Sequence, residues 1–369
     1  MNKNKICVTK PYLPDLEEFK PYLEKIWASG QLTNNGQYHQ LFEKKLATYL
    51  GVPYVSLFAN GTLALITALQ AMRIKGEVIT TPYSFVATTH ALWWNRIKPV
   101  FSDIEPDYCT LDPEKIEAAI TPDTTAILPV HVYGYPCQME RIQRIADKYG
   151  LNVIYDAAHT MGAKYRGKSI ASLGDMSILS FHATKLFHTF EGGAIVSHDK
   201  ETKERVDHLK NFGFESQTSV VMPGINAKMN EVQAAMGLLN LKYLDEIRNK
   251  SKILAKRYTN AFHETGLNVM PDMKGFANNY AYYPVFVRKQ QYGMSRDALF
   301  ETLKSNGIHA RRYFYPLISD FAPYRYLNKG ATLPQAKRKA DEVICLPLYP
   351  DMSEAEQDKV IGIIKNWSV

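Results

Sequence analysis

The chain has 369 residues, 46% of them hydrophobic and 22% charged, with a formal net charge of +7. That is the composition of a folded globular protein of two domains, or of one large domain with a smaller appendage, and no apolar run approaches the ~18 residues that cross a bilayer. The positive charge favours anionic partners, but the 23 tyrosines are scattered and do not alternate with basic residues, so no nucleic acid is expected and a small anionic ligand accounts for the charge equally well.

In chain order, "YVSLFA" (54–59) reads as a strand and "NGTLALITALQAM" as a turn that opens a helix. "EVITTP" and "KPVFSDI" read as strands around a helix from about Ser84 to Trp94. "TAILPVHVYG" (125–134) is a strand, "MERIQRIADKYG" an amphipathic helix, and "LNVIYDAA" (151–158), "MSILSFH" (176–182) and "GAIVSH" (193–198) are further strands. These strands are apolar without alternation, as expected where both faces are covered, and their alternation with helices implies a mostly parallel sheet. From Asn230 the pattern changes to one long helix with apolar residues at helical spacing, among them Val232, Met236, Leu239, Tyr243, Ile247 and Leu254. Beyond it "YAYYPVFV" and "VICLPLYP" read as strands, "RDALFETLKSNG" as a helix stopped by Gly307, and a last helix opens with the capping box Ser353-x-x-Glu356. The cluster "KRK" at 337–339 falls in a helical pattern and reads as a solvated face.

Ligands of open α/β sheets bind beyond the C-terminal ends of the strands, and three features fall there. Asn60-Gly61-Thr62 joins a strand to a helix whose first N–H groups suit a phosphate, although such turns are often only structural. Asp156 ends a very apolar strand, either as the N-cap of the next segment or as the buried partner of a cation. Lys185, in "SFHATKLFHTFEGGA", comes just after another strand; alone it reads as an ordinary surface lysine. Together the three are the parts of a pyridoxal phosphate site. A desolvated lysine loses its proton and attacks the cofactor aldehyde, an aspartate keeps the pyridine nitrogen protonated, and a helix N-terminus holds the phosphate.

The stretches "ANGTLAL", "TPYSFVAT", "PVHVYGYP", "YDAAHTMGAKYRGKSIASLGDMSILSFHATK", "EGGA" and "GINAKMNEVQAAMGLLNL" resemble the DegT/DnrJ/EryC1/StrS family of sugar aminotransferases. The resemblance runs from "LTNNG" at 32 to "LPLYP" at 346. It implies an α/β protein of PLP fold type I, aspartate aminotransferase-like: a mixed, mostly parallel sheet with helices on both faces, plus a smaller C-terminal α+β domain. The large cofactor-binding domain is set at residues 1–248 and the small one at 249–369. By the same resemblance Lys185 bonds the cofactor, Asp156 partners its ring nitrogen, His159 lies beside the ring hydroxyl and Phe85 stacks on the ring. Gly61, Thr62 and Ser180 contact the phosphate, and Asn226 reaches it from the neighbouring subunit of a homodimer with shared active sites. The implied reaction transfers an amino group from L-glutamate to a nucleotide-linked 4-keto-6-deoxyhexose, dTDP-4-keto-6-deoxy-D-glucose, for surface polysaccharide. Amination at C3, or other pyridoxal phosphate chemistry such as C–O bond cleavage, on a related nucleotide ketosugar is the alternative.

Two departures stand out. Lys228 replaces the arginine common two residues after the asparagine, and Phe190 occupies a place often held by glycine. Arg311, Arg312 and Tyr313 in "HARRYFYPL" are candidates to meet a nucleotide diphosphate or to lie on the surface. His90, His131, His182 and His188 have no metal-ligand spacing, and the Ser180/His182 pair lacks a G-x-S-x-G elbow, which argues against a hydrolase. A silent binding protein would tolerate loss of the lysine or the aspartate, and both are present. The opening "MNKNKICVTKPYLPDL" lacks the apolar core of a secretory signal, and Cys7, Cys109, Cys137 and Cys345 form no CxxC pair, so a cytoplasmic protein with reduced thiols is expected.

Overall fold

The computed structural model describes residues 5–328 and 332–367. At its centre are seven strands: β1 (Tyr54–Phe58), β2 (Glu77–Thr80), β3 (Lys98–Phe101), β4 (Thr124–Leu128), β5 (Asn152–Asp156), β6 (Met176–Ser180) and β7 (Gly193–Ser197). Their spatial order is β1-β7-β6-β5-β4-β2-β3. The neighbours from β6 to β3 pair in parallel, whereas β7 runs antiparallel to both β1 and β6. The sheet is therefore mixed and mostly parallel, with helices on both faces. Alternate residues of one strand enter opposite cores: Ile154 of β5 packs with the helix Gly61–Ala71, while Val153 and Tyr155 pack with Met139–Tyr149. This double burial explains the unalternating apolar runs.

Two elements are shorter than the sequence indicates. The strand expected over 125–134 stops at Leu128, because Pro129 has no N–H for the ladder, although its carbonyl still accepts from the Asp156 N–H at 2.9 Å. The helix expected from Ser84 begins at Ala87; the Ser84 and Thr88 hydroxyls lie 2.9 Å apart, and Phe85 is left in the loop before the helix. The solvated face expected of "KRK" is also corrected. Lys339 is buried, its ammonium 3.9 Å from the centre of the Phe286 ring, so it covers an apolar face and only Lys337 is fully exposed.

The helix Glu231–Phe262 opens on a capping box in which Asn230 and Gln233 bond each other's backbone N–H groups. Ala234, Leu239 and Leu244 pack into the core beneath the sheet, whereas Leu254, Tyr258 and Phe262 pack into a second core. That second core belongs to a smaller α+β lobe. It holds the antiparallel strands Asn268–Val269, Tyr283–Phe286 and Val343–Leu346 and the helices Arg296–Ser305 and Glu354–Lys365, the last with its Ser353/Glu356 capping box. The chain passes residue 248 inside a continuous helix. Ile6–Cys7 pairs with Ile308–His309, and Ile6 is part of the small lobe's core. No helix among the described residues is long and apolar enough to cross a membrane.

Glu231 shows how the first turn of the long helix is tied down. Its buried carboxylate accepts from the Tyr38 and His39 N–H groups at 2.7 and 2.8 Å. These are free N–H groups of the helix Gln37–Leu50, whose own N-cap, Gly36, has no side chain to offer. A Cβ on Gly36 would lie 2.5 Å from Glu231 Cδ, so glycine admits the acid. Glu231→Ala leaves two buried N–H groups unpaired and is expected to cost about 2–3 kcal/mol, read as a lowered thermal midpoint.

Candidate active site

A cleft opens beyond the C-terminal ends of the parallel strands and the start of β7. Each wall comes from a strand end: Asn60, Gly61 and Thr62 after β1, Ser84 and Phe85 after β2, Val130 after β4, Asp156 on β5, Ser180 on β6 and Glu191 before β7. Tyr282, Tyr313 and Phe314 of the small lobe close the opposite side.

The first wall is an anion cradle. Asn60 caps the helix Gly61–Ala71 by accepting from the Leu63 N–H at 2.9 Å, which leaves the amides of Gly61 and Thr62 at the helix mouth without an intrahelical acceptor. Close packing of three segments builds the cradle. A Cβ on Gly61 would stand 3.0 Å from Ser180 Cβ, and one on Gly193 would stand 2.7 Å from Asn60 C and Gly61 N.

Asp156 lies deep in the cleft. Its Oδ2 accepts from the Thr88 hydroxyl at 2.8 Å and its Oδ1 from the Ala158 N–H at 3.1 Å, so it is both a turn-former and a buried acid. Burial raises its carboxyl above the ordinary value; the bonds to Thr88 and Ala158 and the charge of Lys185 act the other way. Burial likewise lowers the Lys185 ammonium from 10.5 to about 8, against the pull of Asp156. Its Nζ lies 3.1 Å from the Tyr282 hydroxyl. The amine, which taken alone in the sequence would read as a surface lysine, is tucked under a tyrosine of the other lobe, and it sheds its proton far more readily than a solvated lysine.

His159 is buried, and its Nδ1 accepts from the Tyr133 N–H at 3.2 Å. Burial, followed by the charges of Lys185 and His131, holds its pKa well below the ordinary value. The ring is therefore neutral with its proton on Nε2. It lies parallel to Phe314, 4° between planes and 6.0 Å between centres. Phe85, 58% exposed, stands at the rim as the flat apolar face of the cleft.

Other expected residues lie elsewhere. Asn226 is exposed and does not line its own chain's cleft; it is bridged to Asn211 in a hairpin. Lys228 donates to Asn211 Oδ1 at 2.6 Å and covers the Phe212 ring at 4.9 Å. Arg312 bonds Asp297 at 2.8 Å and stacks on Phe300 and Tyr315 within the small lobe. Arg311 is exposed, so of the three only Tyr313 reaches the cleft. Phe190 has φ of +65°, which gives the physical reason for glycine at such a place. Sequence reasoning missed Tyr282, Thr88 and Phe314. The Tyr83 hydroxyl lies 2.7 Å from that of Tyr133, which donates to the Tyr313 carbonyl, so the pair binds that small-lobe segment to the cleft wall.

The residues fit pyridoxal phosphate: a helix mouth with unpaired amides for a phosphate, a buried acid for the ring nitrogen, a neutral imidazole with its proton on Nε2, and an amine whose pKa is lowered to about 8. On a mixed sheet with the lysine beyond a strand end, these features define a pyridoxal phosphate-dependent aminotransferase of fold type I. The profile of the DegT/DnrJ/EryC1/StrS aminotransferase family matches residues 15–365, and the chain belongs to that family. It is 51% identical over 368 residues to a dTDP-4-amino-4,6-dideoxy-D-glucose transaminase of Escherichia coli, covering 99% of each chain. It is 49% identical to an enzyme of the same name from Shigella dysenteriae, covering 98% of each. Among solved structures, DesI in the presence of its TDP-sugar product superposes with a TM-score of 0.94 at 34% identity, covering 99% of this chain and 93% of the other.

Proposed function

We propose that the protein aminates dTDP-4-keto-6-deoxy-D-glucose to dTDP-4-amino-4,6-dideoxy-D-glucose with L-glutamate as donor, and that the product supplies a surface polysaccharide such as O-antigen. The observation that carries the reading is the Lys185 amine held in the same cleft as Asp156, in a chain half identical to transaminases of that name.

The cofactor supplies an electron-withdrawing ring and an aldehyde carbon that carries nitrogen from donor to acceptor. The Gly61 and Thr62 amides and the Ser180 hydroxyl would hold its phosphate, and Asp156 would keep the proton on the ring nitrogen. His159, with Nδ1 engaged by the Tyr133 N–H, would offer Nε2–H to the ring hydroxyl, and Phe85 would cover the ring face. Lys185, its Nζ held in the cleft beside Tyr282, would act as the general base that takes the proton from the donor's α-carbon. It moves a proton in the reverse sense when the ketosugar is bound.

The working unit in this reading is a homodimer in which Asn226 completes the partner's phosphate site. Support comes from exposed apolar residues around it: Phe212, Phe214, Val220, Val221 and Ile225 are between 38% and 59% exposed, more than a solvated hairpin needs.

The test starts with purified protein. Added pyridoxal phosphate should give a yellow species that borohydride fixes to the peptide containing Lys185. Glutamate and dTDP-4-keto-6-deoxyglucose should then give the 4-amino sugar, identified by mass and NMR. A 3-amino product overturns the regiochemistry, and a protein that takes up no cofactor overturns the whole reading.

A further inference from the structure

Most polar groups of the cleft have a task toward the cofactor. His182 and Glu191 do not, although both line it. His182 Nδ1 accepts from the Thr184 N–H at 3.1 Å and lies 2.7 Å from the Thr184 hydroxyl. A neutral ring so held carries its proton on Nε2, which lies 3.3 Å from Glu191 Oε1. The backbone beneath Glu191 is equally fixed: its carbonyl accepts from the Thr189 hydroxyl at 2.6 Å and from Gln233 Nε2 at 2.7 Å. The next residue, Gly192, has no room for a side chain, since a Cβ there would stand 2.0 Å from Thr189 Oγ1. Glu191 thus stands on a fixed backbone at the cleft lining, its carboxylate 55% exposed and 3.3 Å from His182 Nε2.

Its charge is at first sight misplaced. Asp156 and Glu191 are the two carboxylates of the lining, and Asp156 is buried toward the cofactor. Glutamate brings two carboxylates and the nucleotide a diphosphate, and a negative charge at the entrance opposes both. A carboxylate binds donors, cationic or neutral: glutamate brings one amine against two carboxylates, whereas the sugar ring brings neutral hydroxyls next to the reacting carbon, with the thymine N–H and deoxyribose hydroxyl lying beyond the diphosphate. Resting on the ketosugar reading of the site, we propose that Glu191, oriented by His182, is a specificity-determining residue that accepts hydrogen bonds from the ring hydroxyls beside the keto carbon. It favours the sugar over amino acids when the aminated cofactor waits for its acceptor.

A merely structural Glu191 would shape the loop before β7 and disturb both half-reactions alike. The test separates them in the holoenzyme. The glutamate half-reaction is followed by absorbance on mixing with glutamate alone, and the sugar half-reaction by single turnover of the aminated enzyme with the dTDP-ketosugar. In Glu191→Ala the apparent KM for the sugar should rise about tenfold more than that for glutamate, the size of one lost charge-assisted bond. A 3-deoxy analogue of the sugar should bind less well than the parent to the wild type, and that difference should shrink in the variant. Equal losses in both half-reactions, or a deoxy penalty that the variant leaves untouched, would overturn the role of Glu191. If the wild type itself reacts with glutamate but never with the dTDP-ketosugar, the substrate reading fails, and this inference with it.

Discussion

Lys185→Ala is expected to abolish transamination, with turnover at least about 10⁴-fold below the wild type, in a protein that still folds and still takes up cofactor through the phosphate cradle. Two tasks are lost at once, the covalent hold on the cofactor and the proton shuttle, and no neighbouring group in the cleft replaces either. Tyr282 is a phenol raised further above its ordinary pKa by burial, and His159 is already engaged through Nδ1. The variant should bind pyridoxal phosphate without the yellow band and yield no borohydride-fixed peptide. The wild type carries a companion prediction. Its amine, lowered from 10.5 to about 8, is mostly ammonium at pH 7 and mostly free amine at pH 9. Only the free amine attacks an aldehyde. The rate at which apoprotein takes up the cofactor should therefore rise with pH through 8 and level off above it, measured by stopped-flow absorbance.

Asp156→Asn is expected to cost about 3 kcal/mol or more of interaction with the ring, the penalty for leaving a buried charge without its partner, and roughly 10²–10³-fold in kcat. The amide is nearly isosteric. It can still accept from the Ala158 N–H and can donate to the Thr88 hydroxyl that now bonds the carboxylate, so the fold survives. A neutral amide does not hold a proton on the pyridine nitrogen, and the ring loses its power to withdraw electrons. Cofactor affinity by fluorescence titration and single-turnover rates with glutamate should fall together. An Asn variant with near-normal rates would assign Asp156 to the turn at residues 156–158 alone.

The strands were legible in the sequence because they are covered on both faces, and so were the Asn60-Gly61-Thr62 turn and Asp156 at their ends, whereas Ser180 was reached only through the family resemblance. Lys185 was legible only in company: alone it reads as a surface lysine, and the Asn60-Gly61-Thr62 turn and Asp156 at neighbouring strand ends mark it as a cofactor amine. What the sequence hid depends on contacts between distant segments. Tyr282 lies 97 positions from Lys185, just outside the strand Tyr283–Phe286, and nothing local distinguishes it from the other tyrosines. The Tyr313 segment is recruited by Tyr83 and Tyr133 from the opposite lobe. Arg312 carries the charge expected of a phosphate ligand but spends it on Asp297. Asn226 could not be placed by one chain at all, because its own cleft does not contain it.

The helix Glu231–Phe262 anchors at one end beside the cradle, where Gln233 bonds the carbonyls of Ala59 and Glu191, and at the other among Tyr258 and Phe262 of the small lobe. A single unbroken rod clamped at both tips cannot act as a hinge. Substrates therefore meet a vestibule whose width is decided when the polypeptide folds, and any later adjustment falls to the loops carrying Phe85, Tyr282 and Tyr313. Cutting the molecule near its midpoint would bare the apolar faces of both cores and part Tyr282, Tyr313 and Phe314 from the wall that holds Lys185.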